Sequence, residues 1–237
     1  MHGLQAQLGT IDAVSAFVAE QPIAADVLVC PPATLLAAAV RTAAGRIAIG
    51  GQDCHAEAEG AFTGDLSAEM LRDAGAAAVI VGHSERRQRH AETDAMVAAK
   101  ALAAARAGLM AIICIGETAA QREHGTEMSV CAAQLASSVP PQTDTSGLVI
   151  AYEPLWAIGT GRVPTVQQIE EMHQHIRGCL LGRFGEAAKT MRILYGGSVK
   201  PENARAILAL PEVGGALVGG ASLDAVDFEG IVRALMR

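Results

Sequence analysis

The chain has 237 residues, of which 51 % are hydrophobic and only 3 % aromatic, and its formal net charge at pH 7 is −7. This length fits one large α/β domain or two small ones, with a core built from Ala, Val, Ile and Leu. The negative charge argues against nucleic acid or an anionic membrane surface as the main partner.

The sequence shows no sign of secretion or of a membrane span. The first Lys or Arg is Arg41, so the charged start of a signal peptide is absent. No apolar run approaches the roughly 18 residues of a membrane helix. The five cysteines form no CxxC pair, which is typical of reduced thiols in a cytosolic protein. We therefore expect a cytoplasmic protein.

The chain opens with a helical pattern over residues 10–19, in which Ile11, Val14, Phe17 and Val18 recur at the spacing of one helix face. Seven short apolar runs follow, separated by longer Ala-rich segments. Such runs, bounded by Gly or Pro, indicate strands buried on both faces. They are VLVC (27–30), RIAIG (46–50), AAVIVG (77–82), LMAIIC (109–114), LVIAY (148–152), RILYG (192–196) and ALVGG (216–220).

Between the strands, the clearest helix predictions come from periodicity and from end signals. They cover residues 94–107, 165–183 and 201–209. Strands that alternate with helices imply right-handed βαβ units and a parallel sheet. No composition break or linker divides the chain, so we expect residues 1–237 to form one domain.

The number of elements narrows the α/β fold class. Seven strands and eight helices are predicted, because the helix over residues 10–19 precedes the first strand. A (β/α)8 barrel needs eight of each, so the pattern predicts such a barrel with its N-terminal strand missing. The alternative is a doubly wound open sheet, but no GxGxxG motif follows the first strand.

Polar side chains gather where the predicted strands end. Active residues of parallel barrels lie just after the carboxyl ends of the strands. These positions hold Gln52, Asp53, His83, Ser84, Glu85, Cys114, Glu117 and Glu153. A His or a Glu alone at such a place is commonly structural, but both at one rim, beside glycine turns, indicate an active site.

Two glycine turns follow the last two predicted strands, at Gly196–Gly197 before Ser198 and at Gly219–Gly220. Glycine lets backbone N–H groups approach an anion closely, and phosphate sites in barrels are often built from the last two βα loops. Tight turning alone does not explain why both final strands carry a Gly pair. We therefore expect a phosphate-binding nest there.

No motif indicates a metal or nucleotide site. The sequence has no Walker A motif, no acidic metal cluster and no HExxH motif. We interpret His173 and His175 as surface residues of the long helix. The compact trio of Asp53, Cys54 and His55 is considered as a metal site and set aside.

A carboxylate, a histidine and a phosphate nest fit proton transfer beside the carbonyl of a small phosphorylated molecule. Glu153 is the candidate base, and the imidazole of His83 would polarise the oxygen and carry its proton. The enediol phosphate intermediate loses phosphate easily in water, so the site needs a lid. Residues 154–161 are the candidate lid, with Trp156 near the first hinge and Gly159 and Gly161 near the far end.

Six motifs resemble those of the triosephosphate isomerase family, in family order and spacing from about residue 2 to the C-terminus. They are GAFTGD (60–65), VGHSERR (81–87), CIGE (114–117), AYEPLWAIGTG (151–161), YGGSVKPEN (195–203) and ALVGGASL (216–223). A Glu base, a neutral His electrophile and a closing lid are the roles already known for this family. The resemblance assigns them to this chain.

By this resemblance Glu153 is the base, His83 is the electrophile, and Ser84 and Glu85 belong to the same catalytic turn. The family's phosphate-binding positions match Gly159, Ser198, Gly219 and Gly220. Thr63 lies on a loop that in this family reaches into the neighbouring subunit of a homodimer. Gln52, Arg86 and Glu92 match supporting or interface positions. The resemblance implies a small phosphorylated triose as substrate and no cofactor.

The resemblance departs at the start of the chain. In the family, the first strand ends in an Asn-x-Lys step followed by Met-Asn-Gly or Met-His-Gly, whereas this sequence opens with MHGLQ. The family's lysine is the cation over the substrate oxygen and phosphate. Of the three lysines here, Lys100 and Lys189 are interpreted as helix surface or helix end, and Lys200 follows the phosphate turn.

We therefore expect in-frame codons for a strand ending in Asn-x-Lys directly before Met1. For the 237 residues alone, we expect impaired turnover and a weakened dimer.

Three functions stay open at this point. The first is an isomerase of glycolysis and gluconeogenesis that interconverts dihydroxyacetone phosphate and glyceraldehyde 3-phosphate. The second is a non-catalytic barrel that binds a phosphorylated ligand or a partner. The third is a related phosphosugar enzyme such as an epimerase. The Glu153 lid and His83 favour the first over the third, but the sequence does not separate the first from the second.

Overall fold

A computed structural model describes residues 1–141, 145–160 and 162–236. Seven parallel strands form one sheet in sequential order. They are β1 (Leu28–Val29), β2 (Ala48–Gly51), β3 (Ala78–Val81), β4 (Met110–Ile115), β5 (Leu148–Tyr152), β6 (Arg192–Tyr195) and β7 (Gly215–Ala216). Each overlaps one of the seven predicted apolar runs, which confirms the parallel α/β architecture.

Ten α-helices accompany the strands within the described residues. They are α1 (Leu8–Glu20), α2 (Leu36–Ala43), α3 (Ala68–Asp73), α4 (Ser84–Arg89), α5 (Asp94–Arg106), α6 (Ala119–Glu123), α7 (Glu127–Ser138), α8 (Val166–Phe184), α9 (Pro201–Leu208) and α10 (Ala225–Arg233). Eight follow the barrel repeat, and α4 and α6 are additional short helices directly after β3 and β4. In the described part of the chain, none is both long and apolar enough to cross a bilayer.

The central strands are buried on both faces. One layer of side chains packs between the sheet and the helices and includes Ile113, Ile150 and Ile193. The alternate residues form a second, smaller cluster on the inner face of the curved sheet: Ala78, Ile80, Ile112, Cys114, Val149 and Ala151. This alternation explains why the strands read as continuous apolar runs rather than as a polar–apolar pattern.

The sheet is open within the described residues, with β1 and β7 as its edges. β4 and β5 share five register pairs, whereas β1 shares two with β2 and β7 shares two with β6. Before α1 the described chain forms only a 3₁₀ turn, Gln5–Gln7. In the described residues the fold is thus a TIM-barrel arrangement of seven strands with no strand before α1, as the pattern predicts.

Two polar residues expected on helix surfaces lie in the core, so those interpretations were wrong. Lys100 on α5 is 7 % exposed, and His173 on α8 is fully buried. Both follow the apolar period of their helix, since Val97 and Ala101 flank Lys100 on the buried face of α5. The position of these residues in the helical period therefore predicts their burial correctly, whereas their polarity wrongly predicts exposure.

Candidate active site

The carboxylate of Glu153 is buried at the end of β5, and the residue is only 2 % exposed. Its backbone N–H donates to the carbonyl of Ile115 at 2.8 Å, which extends the β4–β5 ladder by one residue. Its Oε2 accepts from the backbone N–H of Ser84 at 2.9 Å, and its Oε1 accepts from the Ser84 hydroxyl at 3.1 Å. Strands β3 and β5 thus bring together two residues far apart in the chain.

His83 faces the same carboxylate from the end of β3. It is the N-cap of α4, where its Nδ1 accepts from the backbone N–H of Glu85 at 3.3 Å. A backbone N–H can only donate, so Nδ1 carries no proton and the neutral ring has its proton on Nε2. Nε2 lies 3.0 Å from Glu153 Oε1. The imidazole therefore points its N–H into the site.

The charge of Glu153 controls the titration of His83. Burial favours the neutral imidazole, but the hydrogen bond and charge of Glu153, with the charge of Glu85, outweigh burial and raise the pKa of His83. The carboxylate of Glu85 itself is exposed. Glu85 thus contributes its backbone N–H and its charge to the site.

Glu117, expected at the rim without an assigned role, is a fully buried carboxylate under the candidate lid. Its Oε1 accepts from the hydroxyl of Tyr152 at 3.1 Å, from Nε1 of Trp156 at 2.7 Å and from the guanidinium of Arg122 at 3.1 Å. The Arg122 guanidinium also lies 5.1 Å from the centre of the Trp156 ring. These contacts fasten the first turn of the lid, the 3₁₀ helix Leu155–Ala157, to the loop after β4.

Gly116 shows how closely the loops after β4 and β5 approach each other. A Cβ at Gly116 would lie 1.8 Å from the carbonyl oxygen of Glu153, a distance that no side chain tolerates. Beside it, the thiol of Cys114 is fully buried near Glu153, and burial raises the pKa of Cys114 well above its ordinary value. Cys114 is therefore a packing residue rather than a nucleophile.

The residues predicted to bind phosphate lie in turns at the same rim. Ser198 follows β6 and is half-buried, and Gly219 and Gly220 are exposed where a 3₁₀ turn, Gly220–Ser222, begins. The first N–H groups of such a turn have no partner within it. Gly159 in the lid is exposed and has a φ of +68°, which favours glycine. Gly161 lies outside the described residues.

An ion-pair network ties α4 to β2 and α5. Arg86 on α4 lies 2.9 Å from Asp53 and 2.6 Å from Glu92, and Lys100 contacts the same two carboxylates at 2.7 Å and 2.5 Å. The supporting role expected for Arg86 and Glu92 thus has a geometric basis. Gln52 is separate from this network and donates to the carbonyl of Cys30 at 2.9 Å.

Within the described residues, none of the three lysines forms an ion pair with Glu153. Lys100 is held in the ion-pair network, Lys189 pairs with Glu186 on the surface, and Lys200 is exposed at the start of α9. In residues 1–141, 145–160 and 162–236, Glu153 forms an ion pair only with His83. The same residues contain no group of three His, Cys, Asp or Glu side chains that could hold a metal ion.

Comparison with known proteins gives a consistent result. The family model described as triosephosphate isomerase matches residues 1–235. The triosephosphate isomerase of Ruegeria pomeroyi is 60 % identical over 99 % of this chain and 94 % of its own length. That of Afipia carboxidovorans is 57 % identical over the same shares. The chain belongs to the triosephosphate isomerase family.

The three-dimensional comparison supports the same assignment. The crystal structure of triosephosphate isomerase from Bartonella henselae superimposes with a TM-score of 0.92 at 43 % identity, covering 99 % of this chain and 94 % of that one. The likeness to the triosephosphate isomerase family therefore extends over the whole barrel, including the rim that holds Glu153 and His83.

Proposed function

We propose that this chain is a triose-phosphate isomerase, an aldose–ketose isomerase that interconverts dihydroxyacetone phosphate and glyceraldehyde 3-phosphate. The observation that carries the proposal is the direct contact between the buried carboxylate of Glu153 and Nε2 of His83 at 3.0 Å. A base and an acid at hydrogen-bonding distance, each held by strand-end backbone, are what proton transfer beside a carbonyl requires.

In the proposed reaction the substrate enters between the two side chains. Glu153 leaves the hydroxyl and N–H of Ser84 and removes a proton from carbon, and the Nε2–H of His83 donates to the carbonyl oxygen. Glu153 then returns the proton to the neighbouring carbon, while His83 carries the proton between the two oxygens. Gly159, Ser198, Gly219 and Gly220 hold the phosphate through backbone N–H groups, and Thr63 belongs to the subunit contact. No cofactor takes part.

The wider setting is also a proposal. We infer that the chain acts as one domain, residues 1–237, in the cytoplasm, in glycolysis and gluconeogenesis, and as a homodimer without nucleic acid or membrane partners. The net charge of −7 supports the last point. The exposed loop around Thr63, where Phe62 is 43 % exposed, supports an interface with a second copy.

A coupled isomerase assay on three proteins tests the catalytic proposal. The first is the 237-residue chain, the second carries an N-terminal strand ending in Asn-x-Lys, and the third adds Glu153→Ala to the second. Loss of one preorganised charge typically costs about 10²–10³ in rate, so we expect the first protein to turn over poorly. The second should be active, and the third inactive.

Two outcomes would contradict this account. An inactive second protein would favour a barrel that binds a phosphorylated ligand without catalysis. Near-normal turnover by the first protein would show that another group supplies the charge.

Sedimentation at micromolar concentration tests the homodimer. We expect monomer in exchange with dimer for the 237-residue chain, because the family's loop around Thr63 docks near the first βα loop of its neighbour, and the 237 residues contain no strand before α1 in their described part. A single tight dimer would contradict the weakened interface.

A further inference from the structure

The loop between β2 and α3 projects from the barrel, and we call residues 56–66 the docking loop. All ten residues from Glu57 to Leu66 are exposed, among them Phe62 at 43 % and Leu66 at 38 %. A segment with so little burial has low local stability unless contacts within it hold its shape. Its conformation therefore depends on a few side chains.

His55, at the base of the docking loop, makes contacts with its start, its tip and its end. Its Nδ1 accepts from the backbone N–H of Glu57 at 3.0 Å. Its ring packs against Phe62 with centroids 4.0 Å apart. Its Nε2 lies 3.7 Å from Oδ2 of Asp65, and its backbone N–H donates to the carbonyl of Leu66 at 2.7 Å.

This arrangement requires a neutral imidazole. The N–H of Glu57 can only donate, so Nδ1 must be unprotonated, and the ring proton sits on Nε2, toward Asp65. Protonation of Nδ1 would replace a hydrogen bond by two donors that face each other. The attraction to Asp65 would not compensate, because the contact is long and the Asp65 side chain is 56 % exposed, where ion pairs contribute little.

Other charged groups also lie around the loop base. They are the carboxylates of Glu57, Asp65 and Glu69 and the guanidinium of Arg106. From α5, Arg106 donates to the carbonyl of Ala56 at 3.2 Å and pairs with Glu69 on α3 at 2.7 Å.

We propose that neutral His55 is a positioning residue that holds the docking loop in the shape presented to a second copy of this chain, and that its protonation releases the loop and weakens the dimer. The dimer half of the inference rests on the homodimer proposed above. The shape of the loop does not, because every contact described lies within one chain.

Two matched variants separate the contributions of His55. In His55→Asn the side-chain oxygen accepts the same N–H two residues on, as in an Asx turn, and does so at every pH. In His55→Phe the ring that packs on Phe62 remains, but the acceptor is lost. Equal thermal unfolding midpoints of the three proteins would show that the barrel is unaffected.

Hydrogen–deuterium exchange of peptides from residues 56–66, corrected for the intrinsic rate, is measured at about pH 8 and at about pH 5.5. At the higher pH we expect the loop of the wild type to exchange at the same rate as that of His55→Asn. At the lower pH the wild-type loop should exchange about fivefold faster than the His55→Asn loop, which is the factor that corresponds to the loss of one hydrogen bond. His55→Phe should exchange faster at both. A constant ratio between wild type and His55→Asn would overturn the positioning role.

Sedimentation of the same samples tests the dimer half. We expect the wild-type dissociation constant to rise by a similar factor at the lower pH, and that of His55→Asn to stay constant. A dissociation constant that stays the same while the exchange rate of the docking loop changes would overturn the coupling between the loop and the dimer. A chain that is monomeric at both pH values would overturn the proposed homodimer, whereas loop exchange would still decide the role of His55.

Discussion

At the scale of single residues, the buried carboxylate of Glu153 determines how its neighbours behave. Two donors of Ser84 and the imidazole of His83 surround it. A buried carboxylate without such partners would be costly. Both carboxylate oxygens of the residue that we propose as the base thus have a partner in the site.

Replacing Glu153 by Gln should lower the pKa of His83. The carboxylate raises that pKa against the opposing effect of burial, and only burial and the Glu85 charge remain in the variant. The contact with Glu153 therefore stabilises the fold below the unfolded pKa of His83, and this contribution fades as pH rises through the folded value. NMR titration of the ring measures the shift. Ser84→Ala keeps the carboxylate and should shift the pKa less. An unchanged titration in Glu153→Gln would contradict the assignment.

His173 should make the fold sensitive to acid. Burial lowers its pKa to about 4, below the ordinary value of about 6.5. As pH falls through this interval, His173 binds a proton in the unfolded chain but not in the folded chain. The free energy of unfolding therefore falls by up to about 3 kcal/mol. His173→Phe should remove this part of the acid dependence, as measured by urea unfolding between about pH 7 and pH 4.5. Parallel curves for the two proteins would show that another group is responsible.

Sequence reasoning found the residues whose position follows from strand ends, and it missed those whose position follows from helix faces. His83, Ser84 and Glu153 come directly after apolar runs, so the barrel rule places them at one rim. Lys100 and His173 were assigned to the surface by polarity. One partner of Lys100, Asp53, is 47 residues away, and the other, Glu92, is eight residues away but lies before α5. The periodicity of α5 alone therefore shows neither partner.

At the scale of elements, the start of the candidate lid is held by one carboxylate. The indole of Trp156 donates to Glu117 and lies under the guanidinium of Arg122. A lid must leave its open position for each turnover. A few directional contacts, such as those of Trp156, suit repeated opening and closing better than a large apolar interface does.

Glu117→Gln should loosen this hinge. The amide keeps an acceptor but loses the charge that holds Arg122, and breaking a buried ion pair is costly. The chain has a single Trp, so acrylamide quenching of Trp156 fluorescence reports the hinge alone. We expect stronger quenching and a red-shifted emission. Tyr152→Phe removes another donor to Glu117 without touching the indole, and should change quenching less. Equal quenching of wild type and Glu117→Gln would refute the hinge contact.

The elements themselves differed in how well the sequence predicted them. Long periodic segments such as α5 and α8 were predicted to within one residue at each end. The short α4 and α6 were not predicted, because five or six residues are too few to show a helical period. β7 covers only Gly215–Ala216, and a 3₁₀ turn, Gly220–Ser222, follows shortly after it.

At the scale of the whole molecule, the open sheet leaves inner-face residues such as Cys30 and Leu217 only partly buried. An N-terminal strand that pairs with β1 and β7 and adds about three inward apolar side chains should raise the free energy of unfolding by roughly 5–9 kcal/mol. Urea unfolding of the extended and 237-residue proteins measures the difference. A control extension of equal length with polar residues at the inward positions should add much less. Equal free energies of unfolding for the 237-residue and extended proteins would mean that the added strand does not pack between β1 and β7.

The two edges of the open sheet are different surfaces, and this decides how copies of the chain can meet through them. Unpaired strand edges are templates for further strands. Here the β1 edge of one copy is complementary to the β7 edge of the next, and neither edge is complementary to itself in a parallel sheet. Contacts of that kind join molecules head to tail and have no twofold axis to stop them. Contacts through these two edges would thus build rings or filaments rather than closed pairs.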